Sequence, residues 1–303
     1  MNKAMKLLHV VVITSPGADV TVLEEALAAA GLTPSSYTSR ETGLGATYLI
    51  ADGPENAEAL RQAAEDALAG WDDLLQGKPA LACQTMQQED WAESWKKYFH
   101  TFRASERLVV KPSWEAYEAQ AGDVILSLDP GMCFGTGHHG TTKACLQFID
   151  ELERLQGPVS FLDAGCGSGI LSLGARLLGY APVVAFDNDP QAVDTARENL
   201  ARAGVHDVVL EHGALGEYTP PRPARLVAAN ILAVVLVALA EDVIKLVDRS
   251  GAGGHLILSG ILNEQYQEVL ERFQSLGARE ISRRTIAEWT SGLFAVGPDP
   301  ERK

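Results

Sequence analysis

The chain of 303 residues contains few cysteines, and none of them has the spacing of a metal or dithiol site. Cys83, Cys133, Cys145 and Cys166 are scattered without a CxxC pair, the spacing that is typical of zinc sites and redox centres. Separated thiols in a chain of this length are typical of a reducing compartment. We therefore expect neither disulfides nor a bound metal ion.

Long apolar runs are also missing. The longest one spans residues 231–240 and is ended by Glu241 and Asp242, so it has about half the length that a bilayer-spanning helix needs. The first six residues lead into a short β-like run without a cleavage site of small residues, so they do not resemble a secretory signal. We expect a cytoplasmic protein that does not enter a membrane.

Positive charge is scarce as well. The chain has 25 Lys and Arg residues against 40 Asp and Glu residues, which gives a formal net charge of −15. An acidic surface disfavours binding to nucleic-acid phosphates but can attract a basic protein. We therefore expect no direct DNA binding and a basic macromolecular partner.

The length favours two domains, each of which can bury its own core.

The first 86 residues alternate strand-like and helix-like segments in the order β-α-β-β-α-β. This order is that of the ferredoxin-like α+β fold. The predicted strands cover residues 7–14, 36–41, 46–51 and 81–86, and the predicted helices cover residues 20–30 and 55–75. No chemical motif occurs in residues 1–86, so we expect a domain for recognition or packing.

An aromatic-rich segment follows, and we predict a linker helix over residues 87–104. Trp91, Trp95 and Tyr98 lie at positions i, i+4 and i+7, which share one face of a helix. A connector between domains that buries this face is favoured over a substrate-stacking surface.

From residue 160 onward, short apolar strands alternate with helices, which is typical of a parallel sheet covered on both faces. Two late β-like runs have no helix between them and must form an antiparallel end. We therefore assign residues 105–303 to a Rossmann-like α/β domain with a seven-stranded mixed sheet. Its predicted strands are residues 160–164, 183–187, 208–211, 226–230, 254–259, 279–285 and 289–296.

The first of these strands turns through Gly165, Gly167 and Gly169 directly into a helix. Glycines permit a ligand to approach the backbone closely and allow a positive φ. Ile170 stands where a dinucleotide fingerprint has Gly or Ala, which disfavours NAD and FAD. Asp163, just before the loop, suits a cofactor with an aminocarboxypropyl arm better than one with a pyrophosphate. We predict that Asp163, Gly165 and Gly167 bind such a cofactor.

Polar residues also end two further strands. Asp187 ends the second strand, where a carboxylate can accept hydrogen bonds from both ribose hydroxyls of an adenosine. Asp189 precedes Pro190 and is expected to be the N-cap of the next helix. Asn230 ends the fourth strand and should face the reactive end of the cofactor as the catalytic residue. The alternatives are that Asn230 only caps the following helix, and that the domain binds no nucleotide.

The segment of residues 135–142 contains two adjacent histidines, His138 and His139, between glycines and threonines. Side chains of adjacent residues diverge, and no third metal ligand is evident nearby. A loop that covers the cofactor is therefore favoured over a metal site.

Together these motifs resemble the PrmA family, bacterial methyltransferases of the large-subunit ribosomal protein L11. The resemblance implies a class I methyltransferase fold with S-adenosylmethionine as cofactor and an N-terminal substrate-recognition domain. It implies methylation of lysine ε-amines and an α-amine of the basic ribosomal protein. It also implies that Thr142, Gly165, Asp187 and Asn230 contact the cofactor and that Phe134 lines its methyl end. The matching segments are residues 90–91 with 95, 111–114, 129–142, 163–169, 187, 230–233, 259–262 and 288–289.

Two parts of the chain depart from the family pattern. Residues 1–85 match no family motif, and residues 295–303 lack the usual basic ending. A methyltransferase that acts on another protein lysine or on a small molecule, and a non-catalytic adenosine-binding module, are therefore alternative functions. We expect a monomer.

Overall fold

The computed structural model describes residues 7–15, 23, 26–27, 30–32, 34–38, 45–51, 53–69, 71, 78–87, 100–129 and 140–297. The chain divides into two compact units, Met1–His100 and Thr101–Lys303, and each is described by itself. Within the described ranges, every helix is too short or too polar to cross a bilayer.

The first unit contains a four-stranded antiparallel sheet in the order β2-β3-β1-β4. Its strands are β1 Leu7–Ser15, β2 Ser35–Thr38, β3 Gly45–Ala51 and β4 Ala80–Gln87. Helix α1, Pro54–Leu68, packs its apolar stripe into a core that includes Val11, Ile13 and Leu49 of the sheet. Most of the first predicted helix lies outside the described residues, so the ferredoxin-like assignment stays a prediction.

The predicted linker helix over residues 87–104 lies largely outside the described residues, and its two ends differ from the prediction. Gln87 belongs to β4, and Phe102–Arg103 form strand β5. Phe102 pairs with Val110 and Arg103 with Val109 in an antiparallel ladder, so the predicted helix was wrong over residues 102–103. The aromatic periodicity that suggested the helix ends before these residues, and backbone pairing decides their conformation.

The second unit opens with a small sheet in the order β5-β6-β7, in which β6 is Leu108–Lys111 and β7 is Val124–Ser127. The larger sheet has seven strands in the order β10-β9-β8-β11-β12-β14-β13, and the predicted seven-stranded mixed sheet is confirmed. Strands β8 to β12 are parallel, and β14 is antiparallel to both of its neighbours. The bounds are β8 Phe161–Ala164, β9 Val183–Asp187, β10 Val208–His212, β11 Leu226–Asn230, β12 Gly254–Leu262, β13 Ala278–Ile286 and β14 Trp289–Val296.

Helices lie between and beside these strands. They are α2 Gly140–Gln156, α3 Ile170–Leu177, α4 Pro190–Arg202, α5 Ala233–Ala238, α6 Ala240–Lys245 and α7 Tyr266–Ser275. All four residues of β8 are buried, as is β11 up to its last residue. Central strands of a parallel sheet are covered on both faces, so they read as continuous apolar runs in the sequence.

The two last strands have different surroundings although they form one hairpin. In β13 only Ala278 is buried, and exposed and half-buried positions alternate after it; its exposed side chains include Arg279 and Arg283. Charged side chains of this kind protect an edge strand from pairing with another chain. Strand β14 lies between β12 and β13 and is buried at all but one position. The sheet therefore ends on β13, and β14 is an interior strand.

Candidate active site

The strand order of the large sheet has one switch point, where successive connections move to opposite sides of β8. From β8 the chain proceeds to β9 and β10 on one side and then crosses to β11 on the other side of β8. Ala164 pairs with Phe186 of β9 and with Ala229 of β11, so Asp187 and Asn230 stand at the same level on either side of the loop after β8. Ligands of open α/β sheets bind at such a switch point, beyond the carboxyl ends of the strands.

The glycine loop after β8 is held against its neighbours by backbone hydrogen bonds. Gly165 and Cys166 both donate their N–H groups to the carbonyl oxygen of Phe186, at 3.0 and 3.1 Å. From α4, the amide of Asn199 donates to the carbonyl oxygen of Ser168 at 2.9 Å. These hydrogen bonds hold the backbone of the loop against β9 and α4.

Gly165 is required both by its conformation and by its surroundings. Its φ is +78°, in the left-handed region that favours glycine. A Cβ atom at this position would also lie 2.5 Å from Cγ2 of Ile231, the residue after Asn230. Glycine therefore lets the loop after β8 and the turn after β11 approach each other.

Asp187 lies at the end of β9 with 8% of its surface exposed. Its Oδ2 accepts the N–H of Gly167 at 2.8 Å, and its Oδ1 accepts the N–H of Asp189 at 3.0 Å. Each carboxylate oxygen can accept a second hydrogen bond. Asp187 therefore anchors the glycine loop and keeps acceptor capacity for a ligand.

The prediction that Asp189 caps the next helix is confirmed, since its side chain accepts the N–H of Gln191 at 2.8 Å.

Asp163 lies beneath the loop and is fully buried. Its Oδ2 accepts hydrogen bonds from the backbone N–H and the hydroxyl of Ser172, at 3.1 and 2.7 Å. Its Oδ1 has no hydrogen-bond partner among the described residues. Burial raises the pKa of the Asp163 carboxyl to about 7, and the nearby charge of Asp187 acts in the same direction. Asp163 thus ties β8 to the first turn of α3, a contact that the local sequence pattern does not reveal. A direct contact between Asp163 and the cofactor stays a prediction.

Asn230 and Thr142 meet on the other side of the loop. The side-chain amide of Asn230 donates to the hydroxyl of Thr142 at 3.5 Å, and Thr142 is fully buried in the first turn of α2. Oδ1 of Asn230 is buried and has no partner among the described residues. Helix α5 has Leu232 as its N-cap, without a side-chain hydrogen bond, so the alternative that Asn230 caps this helix is wrong. The amide is left available for other contacts.

A buried polar contact between residues that are far apart in the sequence fixes the start of α2. The hydroxyls of Ser259 in β12 and Ser291 in β14 lie 2.6 Å apart, and the Ser259 hydroxyl donates to the carbonyl oxygen of Thr141 at 3.3 Å. Residue 259 matched the family pattern without an assigned role. Ser259 thereby positions Thr141, the neighbour of Thr142. Thr142 in turn faces Asn230.

The turn after Asn230 also contacts β12 closely. Ile231 donates its N–H to the carbonyl oxygen of Ser259 at 3.2 Å. A Cβ atom on Gly260 would lie 2.4 Å from the carbonyl oxygen of Ile231, and the φ of Gly260 is +81°. The backbone that carries Asn230 therefore depends on the absence of a side chain at residue 260.

We expect Gly260→Ala to lower the free energy of unfolding by about 2–5 kcal/mol, because it combines a left-handed alanine with an overpacked backbone contact. Gly277→Ala is the matched control, since Gly277 has a φ of +86° and a Cβ atom added to it would meet no other atom within 4 Å. The control should lose only the conformational part, about 1–2 kcal/mol. Denaturant titration of both variants measures the difference, and equal losses would show that the contact with Ile231 carries no cost.

Two predicted features lie outside the described residues: Phe134, and the loop that contains His138 and His139. Across the residues that are described, no three or more His, Cys, Asp and Glu side chains gather as a metal ion would need.

The strand order, with an antiparallel strand inserted near one edge of a parallel sheet, together with the glycine loop and Asp187, defines a class I, S-adenosylmethionine-dependent methyltransferase. The model of the family described as Ribosomal protein L11 methyltransferase (PrmA) matches residues 14–295. The chain belongs to this family, and it is a protein methyltransferase.

Relatives and a solved structure agree with this membership. The ribosomal protein L11 methyltransferase of Chloroflexus aurantiacus is 40% identical over 271 residues, which cover 81% of this chain and 80% of that protein. The one of Clostridium perfringens is 34% identical over 272 residues, 90% of this chain and 81% of that protein. The crystal structure of the ribosomal protein L11 methylase of Lactobacillus delbrueckii subsp. bulgaricus is 28% identical, with a TM-score of 0.60. The matched region covers 66% of this chain and 100% of the chain in the crystal structure.

Proposed function

We propose that this enzyme transfers methyl groups from S-adenosylmethionine to amino groups of ribosomal protein L11, at lysine ε-amines and an α-amine. The names of the relatives support this substrate. The net charge of −15 supports it as well, because an acidic enzyme attracts a basic ribosomal protein. The observation that carries the proposal is the free acceptor of Asn230, Oδ1, at the switch point of the sheet.

The residues at the switch point fit an adenosine cofactor with an amino-acid arm. Asp187 would accept hydrogen bonds from the ribose hydroxyls, and Gly165 and Gly167 would let the cofactor lie against the loop. Asp163 would act on the amino-acid arm from beneath the loop, and Phe134 would line the methyl end.

The bound cofactor supplies a methyl group on a positively charged sulfur, which an amine attacks in line. The enzyme mainly has to orient the amine and keep it neutral. A lysine amine with an ordinary pKa of about 10.4 is almost wholly protonated at neutral pH, so the site must favour loss of the proton. Desolvation beside apolar residues such as Ile231 acts in this direction. Asn230 Oδ1 would accept an N–H of the neutral amine and aim its lone pair.

The test is methyl transfer from radiolabelled S-adenosylmethionine to purified large-subunit proteins. We expect the label on L11. Label on another protein or on free metabolites, with L11 unlabelled, would assign the enzyme a different substrate.

We expect Asp187→Ala to weaken binding of S-adenosylmethionine by about 1.5–3 kcal/mol, because a charged acceptor for the ribose is lost. Calorimetric titration measures the change. Asp189→Ala is the control: it removes the cap of α4, which costs about 1 kcal/mol of stability, and should leave the affinity unchanged. Unchanged affinity in Asp187→Ala would remove this residue from the cofactor site.

For the rest of the chain we propose that residues 1–86 recognise the substrate and that residues 87–104 connect them to the methyltransferase domain of residues 105–303. The described residues of the candidate active site all belong to the unit Thr101–Lys303, which supports a recognition role for the first unit. We further propose that the enzyme acts in the cytoplasm as a monomer and does not bind DNA directly.

A further inference from the structure

A groove of about 460 Å³ lies on the outer side of α2 in the second unit. Its walls come from the segment after β5, from one face of α2 and from Arg284 of β13. None of its described lining residues belongs to the candidate active site. The side chains that matter are Lys143, Gln147, Glu151 and Arg154 of α2, with Glu106 and Arg284.

The carboxylates of this groove already have cationic partners. Glu151 pairs with Nη2 of Arg284, and Glu106 pairs with Arg154. Asp150, at the bottom of the wall, is almost fully buried and pairs with Arg107 at 2.7 Å. The negative charges of the groove are therefore used within the protein.

Two cationic groups keep unused donors. Nη1 of Arg284 is buried without a hydrogen-bond acceptor among the described residues, while its guanidinium carbon lies 4.0 Å from the centre of the Phe148 ring. This nitrogen therefore keeps an unused donor on a residue that lines the groove. Lys143, half-buried one turn before Gln147, has no hydrogen bond or ion pair with any described residue.

We propose that this groove is a carboxylate-binding site that takes an acidic side chain of the protein substrate when it docks. Lys143 and Arg284 come from different elements but line the same concave surface, and a guanidinium with an ammonium is a donor set that suits a carboxylate. Only these two cationic groups of the groove keep donors without partners among the described residues, and the chain carries a net charge of −15, so a single carboxylate fits better than a nucleic-acid backbone. The claim that the protein substrate supplies this carboxylate rests on the proposed function. The claim that the groove binds a carboxylate does not.

The first arm of the test is steady-state methylation of L11 by the full-length Lys143→Met variant. This substitution keeps the length of the side chain and removes its charge. We expect the KM for L11 to rise roughly 10- to 150-fold, as for loss of one charged hydrogen bond, with kcat unchanged. The control is Lys245→Met, the same change at a side chain that is 70% exposed and pairs with Asp242 in α6. Its KM should not change.

The second arm measures thermal unfolding with sodium succinate against sodium chloride at equal ionic strength. Succinate should stabilise the wild type and the Lys245→Met control but not Lys143→Met. If succinate stabilisation is lost and the KM rises, the substrate supplies the carboxylate. If only succinate stabilisation is lost, the groove binds a free carboxylate and the docking role is overturned.

A third result, in which Lys143→Met keeps the wild-type KM and succinate stabilises no variant, overturns the carboxylate site. Failure of the wild type to methylate L11 would contradict the proposed function, and the succinate arm would still decide the chemistry of the groove.

Discussion

Asn230→Ala should slow methyl transfer by about 10- to 1000-fold, since misplacement of a reacting group by about an ångström can already cost about 100-fold. Asn230 stands at the end of β11 beside the glycine loop, and its buried Oδ1 has no partner among the described residues. Alanine would remove the acceptor that we propose orients the amine. It would also remove the contact with Thr142, which at 3.5 Å contributes little.

The measurement is a single-turnover rate at saturating cofactor and substrate, with thermal unfolding as the control for folding. The free energy of unfolding should change by less than about 1 kcal/mol, because the side chain makes one long hydrogen bond and caps no helix. A variant that loses stability but keeps its rate would show that Asn230 is structural.

Deletion of residues 1–86 should reduce kcat/KM for L11 by roughly 100-fold or more, because binding energy from surfaces far from the reacting amine would be lost. Binding of S-adenosylmethionine should stay intact. The switch point, Asp187 and Asn230 all lie in the unit Thr101–Lys303, which has its own sheet and apolar core.

Calorimetric titration with S-adenosylmethionine shows whether the shortened enzyme retains a folded cofactor site. Full-length enzyme taken through the same purification is the reference for both affinity and rate. A shortened enzyme that methylates L11 at the full rate would exclude the first unit as the recognition element.

The parallel strands of the second unit could be predicted from the sequence because they are short apolar runs bounded by polar or glycine residues. The predictions for Val183–Asp187 and Leu226–Asn230 match the observed bounds, as does the one for the antiparallel but equally buried strand Trp289–Val296. Burial on both faces demands an apolar residue at nearly every position, and this pattern is local. The ends of these strands then located Asp187 and Asn230.

Contacts between distant parts of the chain could not be predicted in this way. Ser259 meets Thr141, 118 residues away, and Ser291, 32 residues away. Nothing in the local pattern around a serine states which strand will lie beside it. The same holds for Asp187, since the sequence indicated a ligand for ribose and the structure adds a bond to Gly167.

The short strand β5 shows a third limit. The helical spacing of aromatic residues favoured a continuous helix, whereas Phe102–Arg103 pair with β6. A strand of two residues is too short to show an alternating pattern in the sequence. Its conformation is therefore set by pairing with the neighbouring strand.

The interior position of β14 has a consequence for how the enzyme forms during synthesis. This strand is translated after every other strand of its sheet, yet it lies between β12 and β13. Until it leaves the ribosome, one edge of β12 stays open, and β13 has no neighbour to pair with. An open apolar edge invites pairing with other chains. A nascent chain that stalls shortly before Trp289 is therefore exposed to aggregation although all of its candidate cofactor residues have already been made.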